Sequence, residues 1–320
     1  MSFNRRVMVG MLAAAGLAMT SIGALAADKK LTLGFAQIGA ESGWRTANTQ
    51  SIKDAAPKAG INLKFSDAQQ KQENQIKAIR SYIAQKVDVI AFAPVVETGF
   101  EPVLKEAKAA GIPVVLTDRS VKVSDPSLYA TQIVSDFIDE GNKAGKWLLE
   151  NYKGQGDVNI VELQGTVGAA PAIDRQKGFA DAIKADPRFK IIRSQTGDFN
   201  RAKGKEVMEA FLKSEGKKIN VVYAHNDDMA LGAIQAIEEA GMKPGKDIIV
   251  IGIDGVKGAF EAMAEGKMNL TVECNPLIGP QLMDVVKQLA AGQQLPKKIQ
   301  AKESMYTMEQ AAKELPNRKY

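Results

Sequence analysis

Cysteine and histidine are nearly missing from this chain, with Cys274 and His225 the single representatives among 320 residues. A zinc site of the usual Cys and His type needs three or four such ligands, so no metal is expected. A disulfide within one chain is impossible, and stability must come from core packing, which a chain of this length can supply. Aromatic residues are sparse at 6%, and Trp44 and Trp147 are the only tryptophans. Charge of one sign is not concentrated either: 42 basic residues are interspersed with 37 acidic ones. No basic arm or stripe of the kind that neutralises phosphates is present, which argues against a nucleic-acid partner. G-x-G-x-x-G after a strand, G-x-x-x-x-G-K-[ST] and G-x-S-x-G are also absent. A nucleotide enzyme or hydrolase is therefore not expected, and no cofactor is called for.

A long hydrophobic run occurs once. Arg5 and Arg6 precede an apolar stretch over 7–19, followed by Ala24-Leu25-Ala26. A basic start, an apolar middle and an A-x-A site make a secretory signal peptide over 1–26, with cleavage expected after Ala26. The apolar part is shorter than the roughly 20 residues a membrane span needs. The mature chain is expected to be exported from the cytoplasm, and removal of the signal lowers the net charge from +5 to +3.

Beyond the signal, short apolar strands alternate with amphipathic stretches. Strands are expected over 31–38, 87–94 and 112–116, with helices over 69–86 and 100–110, the second stopped by Gly111 with Pro113 just beyond. The pattern restarts with helices over 137–152, 174–185, 201–214 and 229–240 and strands over 158–163, 190–194, 219–224 and 248–253. This alternation predicts an α/β fold of two similar doubly wound parallel-sheet lobes, covered on both faces. The expected division puts 27–130 and 275–302 in an N-terminal lobe and 131–274 and 303–320 in a C-terminal lobe. Three crossings, near Ala130, Cys274 and Lys302, form the hinge.

Open α/β sheets bind ligands at the carboxyl ends of their strands. There the sequence places Asp118, Arg119, Asn226 and Asp254, with Arg175 on a helix and Glu41, Trp44 and Arg45 in the first loop. Carboxylates accept from two adjacent hydroxyls, guanidinium forks donate to two, an amide does one of each, and an aromatic ring covers a C–H face. These are the needs of a sugar. Caps and turns are equally common at strand ends, so Asp118-Arg119, Asn226-Asp227-Asp228 and Asp254-Gly255 carry that plainer reading too. His225 lacks a nearby nucleophile in sequence and reads as a structural histidine.

Taken together, the stretches 39–45, 69–80, 161–168, 174–179 and 223–228 resemble the sugar-binding periplasmic proteins that feed ATP-binding-cassette transporters, and most of all their galactofuranose-binding members. The resemblance implies the type I periplasmic binding protein fold, a monosaccharide ligand, an ABC permease as partner, a monomer, and no enzymatic activity. It implies ligand contacts from Glu41, Ser42, Gly43, Trp44, Arg45, Asp118 and Arg119 on one lobe and Arg175, Phe199, Asn226 and Asp254 on the other. Cys274 departs from ribose-type relatives, which tend to carry Gln there, and Val158 and Asn220 stand where galactofuranose-type members often have a cysteine pair. Arabinose, ribose or galactopyranose remain alternative ligands. A secreted sugar-modifying enzyme is a more remote reading, because Asp118 and Asp254 could meet across a closed cleft. A transcriptional repressor core would need a helix-turn-helix head where the signal peptide sits.

Overall fold

The structure is a computed structural model that describes residues 30–301 and 303–320; the expected signal peptide and the expected crossing at Lys302 lie outside the described residues. From the N-terminus the elements run β1 (Thr32–Gln37), α1 (Gly43–Lys58), β2 (Asn62–Asp67), α2 (Gln72–Ala84), β3 (Val89–Phe92), α3 (Glu101–Ala109), β4 (Val114–Asp118) and β5 (Thr131–Val134). They continue with α4 (Phe137–Asn151), β6 (Val158–Gln164), α5 (Ala170–Ile183), β7 (Phe189–Thr196), α6 (Arg201–Glu215), β8 (Val221–Ala224), α7 (Asp227–Glu239), β9 (Ile249–Asp254), α8 (Lys257–Ala264) and β10 (Leu270–Glu273). The return passage is α9 (Gly279–Ala290), β11 (Lys298–Gln300), β12 (Met305–Thr307) and α10 (Met308–Glu314).

Two six-stranded sheets result, with orders β11-β5-β4-β3-β1-β2 and β12-β10-β9-β8-β6-β7. Each sheet changes winding direction at its first strand, β1 or β6, which lies between the second and third strands of its lobe. All pairings are parallel except β10 with β12. The central strands are buried on both faces, and β3 is therefore apolar throughout and β4 apolar up to Thr117, as a helix-covered parallel sheet requires. Among the described residues no helix is long and apolar enough to cross a membrane.

The chain adds elements to those expected, among them α8 and β10, and in three places, α1, β2 and β5, the departure has a local reason. α1 stands where a loop is expected, because its apolar stripe is broken where Arg45 and Asn48 are buried in place of aliphatic residues. β2 is an edge strand of mixed polarity, with both end residues exposed. β5 pairs with β4 and β11, so the chain leaves the first sheet after Val134 and not near Ala130. The first passage between sheets is thus Ser135–Asp136, the second follows Cys274, and the third lies between β11 and β12.

Helices α4 and α5 cross at glycines. A Cβ on Gly178 would lie 2.1 Å from the Ile138 carbonyl oxygen, and one on Gly141 would lie 2.3 Å from that of Arg175. Both obstacles are backbone, so side-chain rearrangement cannot relieve them. Gly178→Ala is expected to destabilise the ligand-free protein by about 1 to 3 kcal/mol by overpacking. Urea unfolding would check this, and a stability within about 0.5 kcal/mol of the parent, the range of an ordinary surface change, would contradict the close crossing.

Candidate functional site

A cavity between the two sheets is lined by Glu41, Ser42, Trp44, Arg45, Asp118, Arg119, Pro171, Arg175, Phe199, Asn226, Asp254 and Cys274. The space between these residues, with the open mouth included, is about 280 Å³. Ten of the eleven residues expected from the sequence meet here. Gly43 does not line the cavity; its N–H donates to Asp228 Oδ2 at 2.7 Å and ties the first lobe to the second. Pro171 and Cys274 line it in addition.

Each contributor reaches the cavity from a strand end or the helix that follows. Ser42 caps α1 by accepting from Arg45 N, which turns Arg45 inward on the first helical turn. Asp118 ends β4 with φ +61, Phe199 follows β7 with φ +59, and Asp254 ends β9 with φ +128. Such positive φ values are costly for residues with a side chain and persist where the surroundings hold them. Asn226 Nδ2 holds the Phe199 carbonyl at 3.1 Å. Gly165 leaves the room that the Phe199 ring fills, since a Cβ there would come within 1.9 Å of the ring. The Asp254 turn is held by buried Asp227, whose Oδ2 accepts from Gly255 N and Val256 N while Thr271 Oγ1 donates to the same carboxylate.

Three guanidinium groups are buried in this space, each with carboxylates around it. Arg45 donates to Glu41 Oε1 at 3.0 Å and to Asp118 Oδ2 at 2.6 Å. Arg119 lies 3.7 Å from Asp118 and 3.9 Å from Glu41, donates to the Val95 carbonyl and stacks over Phe199 from the opposite lobe, 5.1 Å from the ring centre. Arg175 donates to Glu140 Oε2 at 2.7 Å and to the His225 carbonyl at 2.6 Å, and approaches Asp254 Oδ1 at 3.6 Å. Burial, then the charge of Arg45, lower Arg119 to about 10, so it stays protonated at neutral pH. Burial also pushes the Glu140 carboxyl up to about 8, against the pull of Arg175, and pushes Asp254 well above the usual carboxylate range. Arg175 itself is driven upward by Glu140 in spite of burial, so the guanidinium is the firmly charged member of that pair.

Among the described residues, Glu41 Oε2, Arg45 Nη1 and Arg119 Nε are buried without a hydrogen-bond partner. Leaving such groups unpaired costs about 1 to 3 kcal/mol each, more when charged. Two spare donors and a spare acceptor, converging where Trp44 and Phe199 supply ring faces, suit a small polyhydroxylated molecule. Trp44 packs with the core of the second lobe, and its Nε1–H donates to the Cys274 carbonyl at 2.6 Å. A further link between lobes runs from Glu97 N to the Gly168 carbonyl.

Residues 33–294 match the periplasmic binding protein domain family. The chain belongs to that family. It is 55% identical to the galactofuranose-binding protein YtfQ of Escherichia coli K12 over 96% of both chains. Among solved structures, a Mycobacterium smegmatis protein in complex with β-D-fucofuranose is 58% identical with a TM-score of 0.89, over 91% of this chain and 95% of that one. The periplasmic component of the arabinose ABC transporter of Shewanella sp. ANA-3, bound to α- and β-L-arabinofuranose, is 55% identical with a TM-score of 0.86, over 90% and 95%. Two similar parallel-sheet lobes with a cleft between them are the architecture of this periplasmic binding protein family, and the sequence-based fold class stands.

Besides Pro171, sequence reasoning missed Glu140, the partner of Arg175. It sits on the face of α4 that also carries Phe137, Gly141, Ala144 and Leu148, all buried. A carboxylate on an apolar helical face was the available signal, because such a group needs a buried cation, here Arg175. His225 is buried with Nδ1 accepting from Gly165 N, which leaves Nε2–H to donate to Glu162 Oε1 at 3.1 Å. It holds the strand end that carries Asn226. Burial lowers its pKa below 6.5, so it folds neutral. A histidine that must fold neutral costs stability once the unfolded chain can take up a proton, so stability should fall as pH drops below about 6.5. Because the chain has one histidine, its single imidazole signal in NMR should titrate below 6.5 in the native protein, and a midpoint at or above 6.5 would contradict the buried neutral assignment.

Proposed function

We propose that this chain is the solute-binding component of an ABC sugar importer, exported to the periplasm as a monomer, and that it captures galactofuranose between its lobes for delivery to the permease. The observation that carries this reading is the cavity of three buried guanidinium groups interleaved with Glu41, Asp118 and Asp254. Charged donors and acceptors fixed on both sides read each hydroxyl by direction, and a wrong epimer leaves one of them unpaired. The sugars named for the three relatives support the ring form, since all are furanoses. L-Arabinofuranose and D-fucofuranose also share the ring configuration of galactofuranose and differ in the exocyclic tail. L-Arabinofuranose is the second reading, favoured by the arabinose transporter component.

The proposed mechanism is hinge closure. Sugar bonded to both lobes favours the closed arrangement by contacts the open one lacks. Gly43 with Asp228, Trp44 with the Cys274 carbonyl, and Arg119 over Phe199 are the protein's own contribution to that closure. Binding proceeds without turnover: Asp118 and Asp254 are engaged by Arg45 and Arg175, an arrangement for holding hydroxyls.

A thermal-shift screen of galactose, arabinose, ribose and fucose tests the function, because a ligand that binds only the folded state raises the melting temperature by mass action. Galactose and arabinose, which supply the proposed furanose forms in solution, should raise it, and ribose should not. Arg119→Ala should weaken the binding of the responding sugar by about 2 to 4 kcal/mol, since it removes a forked donor and the cation that covers Phe199. No shift with any sugar would overturn the reading; an Arg119→Ala affinity within about twofold of the parent, far under a tenfold change, would remove Arg119 from the site.

A further inference from the structure

The first and second crossings between the lobes, the start of α4 and the far side of the third crossing converge on a second group of side chains, which shares Cys274 with the lining of the sugar-facing cavity. Cys274 Sγ and one carboxylate oxygen each from Glu140 and Glu303 lie within 4.8 Å of one another. Ser135 Oγ donates to Glu303 Oε1 at 2.6 Å and lies 3.4 Å from Cys274 Sγ. Asn275 N also donates to Glu303 Oε1. Glu140 and Cys274 are each 1% exposed. Glu140 Oε2 is taken by Arg175, whereas Oε1 is buried with no hydrogen-bond partner. A surface cleft is lined by Glu140 and Glu303 together with Asp136, Asp139 and Lys143, and it approaches the group from its carboxylate side.

We propose that Cys274, Glu140 and Glu303 form a divalent transition-metal site at the hinge, with Zn²⁺ the fitting ion. A thiolate with two carboxylates suits zinc, with Ser135 or a water as fourth ligand, while calcium and magnesium take oxygen-only shells of six or more. Ideal bonds of about 2.3 Å to sulfur and about 2.1 Å to oxygen place tetrahedral neighbours about 3.6 Å apart, so the side chains need to close by about an ångström. Glu303, on a crossing segment, supplies that adjustment. Charge balances as well: the thiol, and the Glu140 carboxyl that burial keeps protonated, release their protons to solvent on binding, and the ion with Arg175 then offsets three anions. A count of cysteines and histidines overlooks this site because two of its ligands are carboxylates. The bound ion would fasten the second and third crossings to α4, and the site stands independently of which small molecule the cleft accepts.

The test uses the full mature chain, free of any affinity tag and stripped with chelator. Calorimetry with zinc chloride should give one equivalent bound per chain, weakened at least tenfold by Cys274→Ser and by Glu303→Gln. Cobalt(II) should give a thiolate-to-metal charge-transfer band in the near ultraviolet that Cys274→Ser abolishes; this band is read on the parent protein and does not depend on either variant folding. Absence of stoichiometric uptake, uptake equally strong in both folded variants, or a cobalt spectrum without the thiolate band would overturn the site.

Discussion

Burying three guanidinium groups between two sheets is the constraint on which the rest of this structure depends. A buried charge without a partner is strongly unfavourable, and Arg45, Arg119 and Arg175 are each almost wholly removed from solvent. The positions of Glu41, Asp118, Asp254 and Glu140 follow from that requirement. So does much of the backbone around them: Asp118 and Asp254 take positive φ at strand ends, and Asp227 with Thr271 holds the Asp254 turn. The pairing is incomplete on the cavity side, where Glu41 Oε2, Arg45 Nη1 and Arg119 Nε keep hydrogen-bonding capacity in reserve. The same residues that neutralise one another across the cavity are therefore the ones with bonds left to offer.

The fold was legible in the sequence because a parallel sheet buried on both faces writes itself as short apolar runs, and β3, β4, β8 and β9 are of that kind. Polar residues placed just after such runs marked Asp118, Arg119, Asn226 and Asp254. Elements that do not follow the apolar rule were harder to read. α1 buries Arg45 and Asn48 where an ordinary amphipathic helix buries aliphatic groups, and β2 and β5 are short strands at or near the edges of their sheet. Glu140 escaped because its partner Arg175 lies 35 residues away, and pairing at that range comes from the crossing of α4 with α5. Gly43 is expected in the site from its neighbours, and in the structure its backbone N–H donates to Asp228 of the other lobe. Side-chain patterns do not encode that bond.

The hinge and the cleft share residues, which gives closure a physical route. Cys274 presents its carbonyl to Trp44 and its thiol to the Ser135 and Glu303 side of the crossings. Glu140 faces Arg175 with one oxygen and the hinge with the other. A molecule that engages Arg175 or Trp44 therefore acts on groups already joined to the segments that must bend, and the differential contacts required for a ligand-driven population shift are at hand. Phe199 beneath Arg119 adds a contact that pairs a ring of one lobe with a cation of the other, favourable by about 0.5 to 2 kcal/mol depending on how dry the closed cleft is.

The central claim is that the cleft holds a sugar in its five-membered ring form. Carbon-13 NMR of the protein with D-galactose or L-arabinose labelled at the anomeric carbon reads the ring of the bound sugar directly. The account predicts a bound resonance at the furanose position, drawn from the minor furanose fraction in solution. A bound resonance at the pyranose position, or no bound signal from either sugar, would contradict it.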